Sequence, residues 1–171
     1  MSAARSGRLK GSGGGSGSGL SVGSKLPDFK LASTGGHDLS LKDLKGSKLV
    51  LYFYPRDNTP GCTLEGQQFA QLAPRFARAG VKVFGISRDS LASHQKFRDK
   101  MQFPFQLLSD PDEQACRLFG VIREKNMYGR KVLGIERSTF LIDAKGVLRE
   151  EWRKVKVNGH AEAVLAAVKA L

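Results

Sequence analysis

Cysteine is scarce in this chain: two residues, Cys62 and Cys116, in 171. So few argue against a disulfide-stapled secreted domain and suit a reducing cytoplasm, where a retained cysteine is either chemical or buried. The two lie far apart with no paired ligand spacing, and no Cys-x-x-Cys pair occurs, because Glu65 stands where the second cysteine of such a pair would be. The usual signatures of zinc binding and dithiol exchange are therefore missing, and no metal or cofactor is expected. No stretch approaches the roughly 18 consecutive apolar residues of a membrane span, and the N-terminus lacks the apolar segment of a secretory signal. Acidic residues are few too, 16 against 28 Lys and Arg, for a formal charge of +12. That charge permits contact with polyanions. However, the basic residues are dispersed and no aromatic-interleaved basic motif appears, so a solvated surface is preferred over a specific nucleic-acid site.

What is present fits one domain, with 40% hydrophobic residues. The opening stretch, residues 1–22, is nearly all Gly, Ser and small residues and reads as a disordered tail or linker. The folded domain is expected over 23–171. Removing the three positive charges of Arg5, Arg8 and Lys10 from +12 leaves +9 on that part.

From Leu26 onward strand and helix patterns alternate. "FKLAS" and "HDLSL" flank a Gly-containing turn and predict a hairpin. "KLVLYFYP" is a continuous apolar run of strand length, as a strand buried on both faces reads. A helix follows Cys62, with Leu64, Phe69, Leu72 and Phe76 expected on one side and Pro74 expected to kink it or end its first segment. "VKVFGIS" predicts a second core strand, "SLASHQKFRDKM" a helix, "FQLLS" a strand and "DEQACRLFG" a short helix. Residues 122–136 read as a less regular basic stretch. "STFLID" and "VLREEWR" predict a second hairpin, and "HAEAVLAAVKAL" a closing helix. The fold class is α/β, a central mixed sheet flanked by helices with a β-hairpin added at the N-terminus.

Within this pattern "TPGCTLEGQQF" opens a helix with a cysteine in its first turn. Thr59 suits the N-cap and Pro60 the first helical position, which sets Cys62 third. There the sulfur lies beside unpaired N–H groups and the positive end of the helix dipole, and thiolate is favoured over thiol. The site also lies beyond the C-terminal end of a core strand, where open α/β sheets carry their chemistry. A small buried hydrophobe is the competing reading. None of the histidines, His37, His94 and His160, has an evident partner motif, and all three read as solvated surface residues. A Cys/His hydrolase is thus unsupported. Attack of a thiolate on a peroxide oxygen fits, since that reaction needs hydrogen-bond donors and positive charge but no base.

"YFYPRDNTPGCTLEGQQF" resembles the active-site stretch of the peroxiredoxins, whose Pro-x-x-x-Thr-x-x-Cys motif matches Pro55, Thr59 and Cys62. "KLPDF", "LKDLKG", "FGISRDS", "FPFQLLSD", "RSTFLID" and "GVLREEW" extend the similarity to the bacterioferritin-comigratory, or Q-type, subfamily from about Gly23 to the C-terminus. The resemblance implies a thioredoxin-like fold and reduction of hydrogen peroxide and organic hydroperoxides through a Cys62 sulfenic acid. It implies that Thr59 hydrogen-bonds thiolate and peroxide, that Pro55 shields the sulfur, and that Arg137 is the active-site arginine. Glu65, one turn after Cys62, is a weaker candidate for orienting Arg137, with solvation on the helix surface as the alternative.

The departure from the subfamily pattern is the second cysteine. A resolving cysteine five residues on is Gln67 here, and the following helix, "SHQKFRDK", has none. Cys116, flanked by Ala115, Leu118 and Phe119, reads as a core position rather than a resolving residue. A one-cysteine cycle with thioredoxin, glutaredoxin or a small thiol as reductant is expected. The alternatives are resolution by Cys116 or a peroxide-sensing regulator on the same scaffold. The scarcity of cysteine points to a cytoplasmic location, and the resemblance further implies a monomer, with dimerisation beside the active site left open.

Overall fold

The computed structural model describes residues 20–171. The expected tail lies outside the described residues up to position 19, and Leu20 packs half-buried against the core. The elements in chain order are β1 (Lys30–Ser33), β2 (Leu39–Ser40), a 3₁₀ turn at Lys42–Leu44, β3 (Lys48–Phe53), α1 (Pro60–Arg78), β4 (Val81–Ser87), α2 (Leu91–Met101), β5 (Gln106–Ser109), α3 (Gln114–Leu118), β6 (Ile122–Met127), β7 (Arg130–Ile135), β8 (Ser138–Ile142), β9 (Leu148–Trp152) and α4 (His160–Lys169).

Seven strands form one sheet in the order β2-β1-β5-β4-β3-β8-β9. The centre is parallel, with β4 between β3 and β5, while β1, β8 and β9 run antiparallel to their neighbours. This is the expected mixed sheet. Val50, Tyr52 and Leu141 face one core with Phe69 and Phe76 of α1, Phe97 of α2, and Val164 and Val168 of α4. Leu49, Leu51, Phe53 and Phe140 face the other, with Cys116 of α3, Phe119 and the N-terminal Leu26 and Phe29. The continuous apolar run of β3 is explained by burial on both faces. Phe69 and Phe76 are fully enclosed, so truncating either to Ala costs about 3–5 kcal/mol.

Three expectations need correction. First, residues 122–136 form a regular hairpin, β6 with β7, paired from Ile122↔Ile135 to Met127↔Arg130. Both of its turn residues, Tyr128 and Gly129, have positive φ, 55° and 79°. That is the geometry a two-residue hairpin turn with the right twist requires. Second, of the two outcomes expected at Pro74, an end to the first segment is excluded, since α1 runs through it. Third, Leu64 is 42% exposed. The buried face of α1 instead runs Cys62, Glu65, Phe69, Phe76, spaced as one helical stripe.

Candidate active site

The site is assembled where β3 ends. β8 runs antiparallel beside β3 with Phe53 opposite Ser138. Arg137, the residue before Ser138, is thereby brought to the point where the chain leaves β3 for the Cys62 loop. Its position is pinned by its own carbonyl, which accepts from the Val155 N–H at 3.0 Å. Sheet pairing, not sequence proximity, thus joins Arg137 to Cys62.

Thr59 is the N-cap of α1, Pro60 follows at N1, and Cys62 stands in the first turn, 2% exposed. The Thr63 N–H donates to the Thr59 carbonyl at 2.9 Å, closing that turn. The Thr59 hydroxyl does not cap the helix; it donates to the Arg56 carbonyl at 2.8 Å. Among the described residues it makes no hydrogen bond to Cys62. With its proton committed to a carbonyl, its oxygen remains an acceptor. Pro55 is half-buried directly after the enclosed Tyr54.

Arg137 bridges two acidic partners. Nη2 donates to Cys62 Sγ at 3.5 Å and Nη1 to Glu65 Oε1 at 2.6 Å. Burial works against the guanidinium charge, but Glu65 and Cys62 outweigh it and hold Arg137 above its ordinary value. Glu65 is 1% exposed, so the surface-solvation alternative is ruled out and the carboxylate faces the arginine. Burial pushes its pKa up to about 7 against the pull of Arg137. Its second oxygen, Oε2, is enclosed without a hydrogen-bond partner among the described residues. Gly61 makes room for this arrangement: a Cβ there would stand 3.1 Å from Arg137 Nη2.

Cys116 is absent from the site. It is fully buried on α3, in the core on the opposite side of the sheet from Cys62. Burial, with Asp110 beside it, pushes its thiol well above the ordinary cysteine range, so it is a poor nucleophile.

The solvated reading of the histidines holds for His37 alone. His94 is fully buried, bonded to Asp57 and to the Leu108 carbonyl. His160 is 6% exposed and meets Thr139 Oγ1 at 2.8 Å. Burial, aided by the positive field of Arg137, lowers its pKa to about 4. Among the described residues, no helix is long and apolar enough to cross a membrane.

Comparison with known proteins shows the family. The AhpC/TSA family profile matches residues 22–151. The chain is similar to Peroxiredoxin Bcp of Xanthomonas campestris, 57% identical over 143 residues, covering 84% of this chain and 89% of that protein. It also resembles a structure of the X. campestris bacterioferritin comigratory protein described for its alkyl peroxide reduction activity, with TM-score 0.80, 56% identity, and coverage of 83% of this chain and 90% of that one. A cysteine-to-serine PrxQ of Xylella fastidiosa superposes with TM-score 0.85 at 47% identity, covering 90% and 98%.

Proposed function

The chain belongs to the AhpC/TSA family as a peroxiredoxin of the Bcp or Q type, a thiol-dependent peroxidase with a thioredoxin-like fold, and we propose that Cys62 is its peroxidatic residue in a one-cysteine cycle. The observation that carries this reading is the contact of Arg137 Nη2 with Cys62 Sγ, 3.5 Å. A guanidinium is charged at all working pH, so it stands ready beside the sulfur to meet the negative charge that develops as the peroxide bond breaks.

In the proposed step the Cys62 thiolate attacks the OH-bearing oxygen of ROOH. The S–O bond forms, the O–O bond breaks, and RO⁻ leaves to become ROH by taking a proton from solvent. Cys62 becomes a sulfenic acid. Arg137 stabilises the transition state, and Glu65 holds Arg137 in its bridging pose. The Thr59 oxygen accepts the peroxide hydrogen and aims the O–O bond at the sulfur. Pro55 limits water at the sulfur, which protects the sulfenic acid. One thiol then condenses with the sulfenic acid, releasing water, and a second reduces the mixed disulfide. Thioredoxin, glutaredoxin or a small thiol in the cytoplasm would serve. The separation of Cys116 from Cys62 by the sheet supports an external thiol over internal resolution, because a disulfide needs Cα atoms within about 7 Å.

A steady-state assay with peroxide and a thiol donor tests the reading. Turnover is expected for the wild type and its loss for Cys62→Ser. Equal turnover in both would overturn it.

A further inference from the structure

Asp57 lies on the loop between Pro55 and Thr59 and has no part in the reaction as proposed above. It is nevertheless the most heavily bonded residue of that loop. Its main-chain N–H donates to Asp89 Oδ2 at 2.9 Å. Its Oδ1 accepts from the Tyr54 hydroxyl at 2.7 Å. Its Oδ2 accepts from the Ser93 hydroxyl at 2.7 Å and stands 2.8 Å from His94 Nδ1. Asp89 is itself fixed, taking the Ser87 hydroxyl on Oδ2 and the Ser109 hydroxyl on its carbonyl.

The proton positions follow from the partners. His94 Nε2 is 2.9 Å from the Leu108 carbonyl, which can only accept, so Nε2 carries a proton. Burial pushes the Asp57 carboxyl up, but His94 and the two hydroxyls outweigh it and hold it below the ordinary aspartate range. His94 Nδ1 faces that carboxyl group, and both side chains are sealed from water. Asp57, Asp89 and His94 bring ligand atoms within 4.8 Å of one another. Both ring nitrogens and the Asp57 carboxylate are already committed to hydrogen bonds, however.

A buried, fully hydrogen-bonded polar cluster contributes more to a unique geometry than to stability. Here the geometry concerns the reacting loop. Directly after Asp57 the chain turns through Asn58 in the left-handed region, φ 65°, a conformation Asn tolerates better than most residues. Then come the Thr59 hydroxyl, committed to Arg56, and α1. The Asp57 clamp therefore sets the direction from which Thr59 and Cys62 are presented.

We propose that Asp57, gripped by His94, Ser93 and Tyr54, is the positioning residue of the Cys62 loop, so that the first turn of α2 sets the reactivity of Cys62 toward peroxide. This rests on the reading of Cys62 as peroxidatic. A misplacement of about 1 Å in reacting groups can cost about 100-fold in rate.

The test is Asp57→Asn, which keeps the shape but replaces one of the two clamped oxygens with an NH2 donor. The rate of Cys62 oxidation by peroxide should fall at least tenfold. Alkylation of Cys62 by iodoacetamide, which needs no peroxide-binding geometry, should change less than about twofold, with an unchanged circular dichroism spectrum. Ser93→Ala keeps the His94–Asp57 contact and loses one hydrogen bond, so a smaller fall of about twofold to fivefold is expected. On the wild type, a long-range ¹⁵N–¹H correlation spectrum should show the His94 proton on Nε2, as its bond to the Leu108 carbonyl requires. A folded Asp57→Asn protein with the wild-type peroxide rate, or a His94 without a proton on Nε2, overturns the proposal. If Asp57→Asn does not fold, Ser93→Ala and the His94 spectrum decide it. A wild-type Cys62 inert to peroxide would instead sink the peroxidatic reading itself.

Discussion

Arg137 spans Cys62 and Glu65, 3.5 Å from the sulfur through Nη2 and 2.6 Å from the carboxylate through Nη1. One guanidinium thereby links the Cys62 sulfur to a carboxylate held away from water. Three predictions concern this bridge, and a fourth concerns the second cysteine.

Arg137→Met keeps much of the apolar stem and removes the charge. Peroxide reduction should slow by at least about tenfold, since losing one positioned donor to a developing anion costs more than about 1.4 kcal/mol. Circular dichroism should show the fold intact. A wild-type rate would remove Arg137 from the mechanism.

Glu65 should leave a mark on stability against pH. Burial raises its pKa from 4.5 in the unfolded chain to about 7 in the folded one. A raised carboxyl pKa contributes stability that is complete below 4.5 and is lost as the pH rises through 7. Denaturant unfolding should therefore show the wild type losing about 3 kcal/mol relative to Glu65→Gln between pH 4 and pH 8. Parallel pH profiles for the two proteins would contradict the buried-carboxylate account.

Gly61→Ala separates stability from activity. Alanine suits a helix better than glycine by about 0.5–1 kcal/mol, so the melting temperature should hold or rise. Its methyl group would crowd Arg137 Nη2, and the peroxide rate should fall severalfold. An unchanged rate would show that the guanidinium yields without loss.

Cys116→Ser should leave turnover with excess small thiol nearly unchanged. The expected cost is in stability, about 1 kcal/mol, since Asp110 stands ready to accept from the new hydroxyl. Loss of turnover in this variant would restore Cys116 as the resolving residue.

What the sequence made legible was local. β3 declared itself by an unbroken apolar run, and the start of α1 by Thr59 and Pro60, because each depends on neighbours in the chain. The pairing of Arg137 with Cys62 came only through resemblance, since it depends on β8 lying beside β3. The β6–β7 hairpin was missed for a different reason. Most of its residues are solvated on both faces, so it lacks the alternation that betrays a half-buried strand, and its turn is Tyr-Gly rather than Asn-Gly. His94 carries no signal of burial by itself; its partner Asp57 is on another element. Glu65 could have been found, for it falls on the stripe of Cys62, Phe69 and Phe76 where a solvated carboxylate does not belong.

The most direct test of the central claim is the mass of the intact protein and its non-reduced peptides after one equivalent of hydrogen peroxide. The account predicts one added oxygen atom on the Cys62 peptide, trapped by a sulfenic-acid reagent, and no Cys62–Cys116 linked peptide. An unoxidised Cys62, or that linked peptide as the major product, would contradict it.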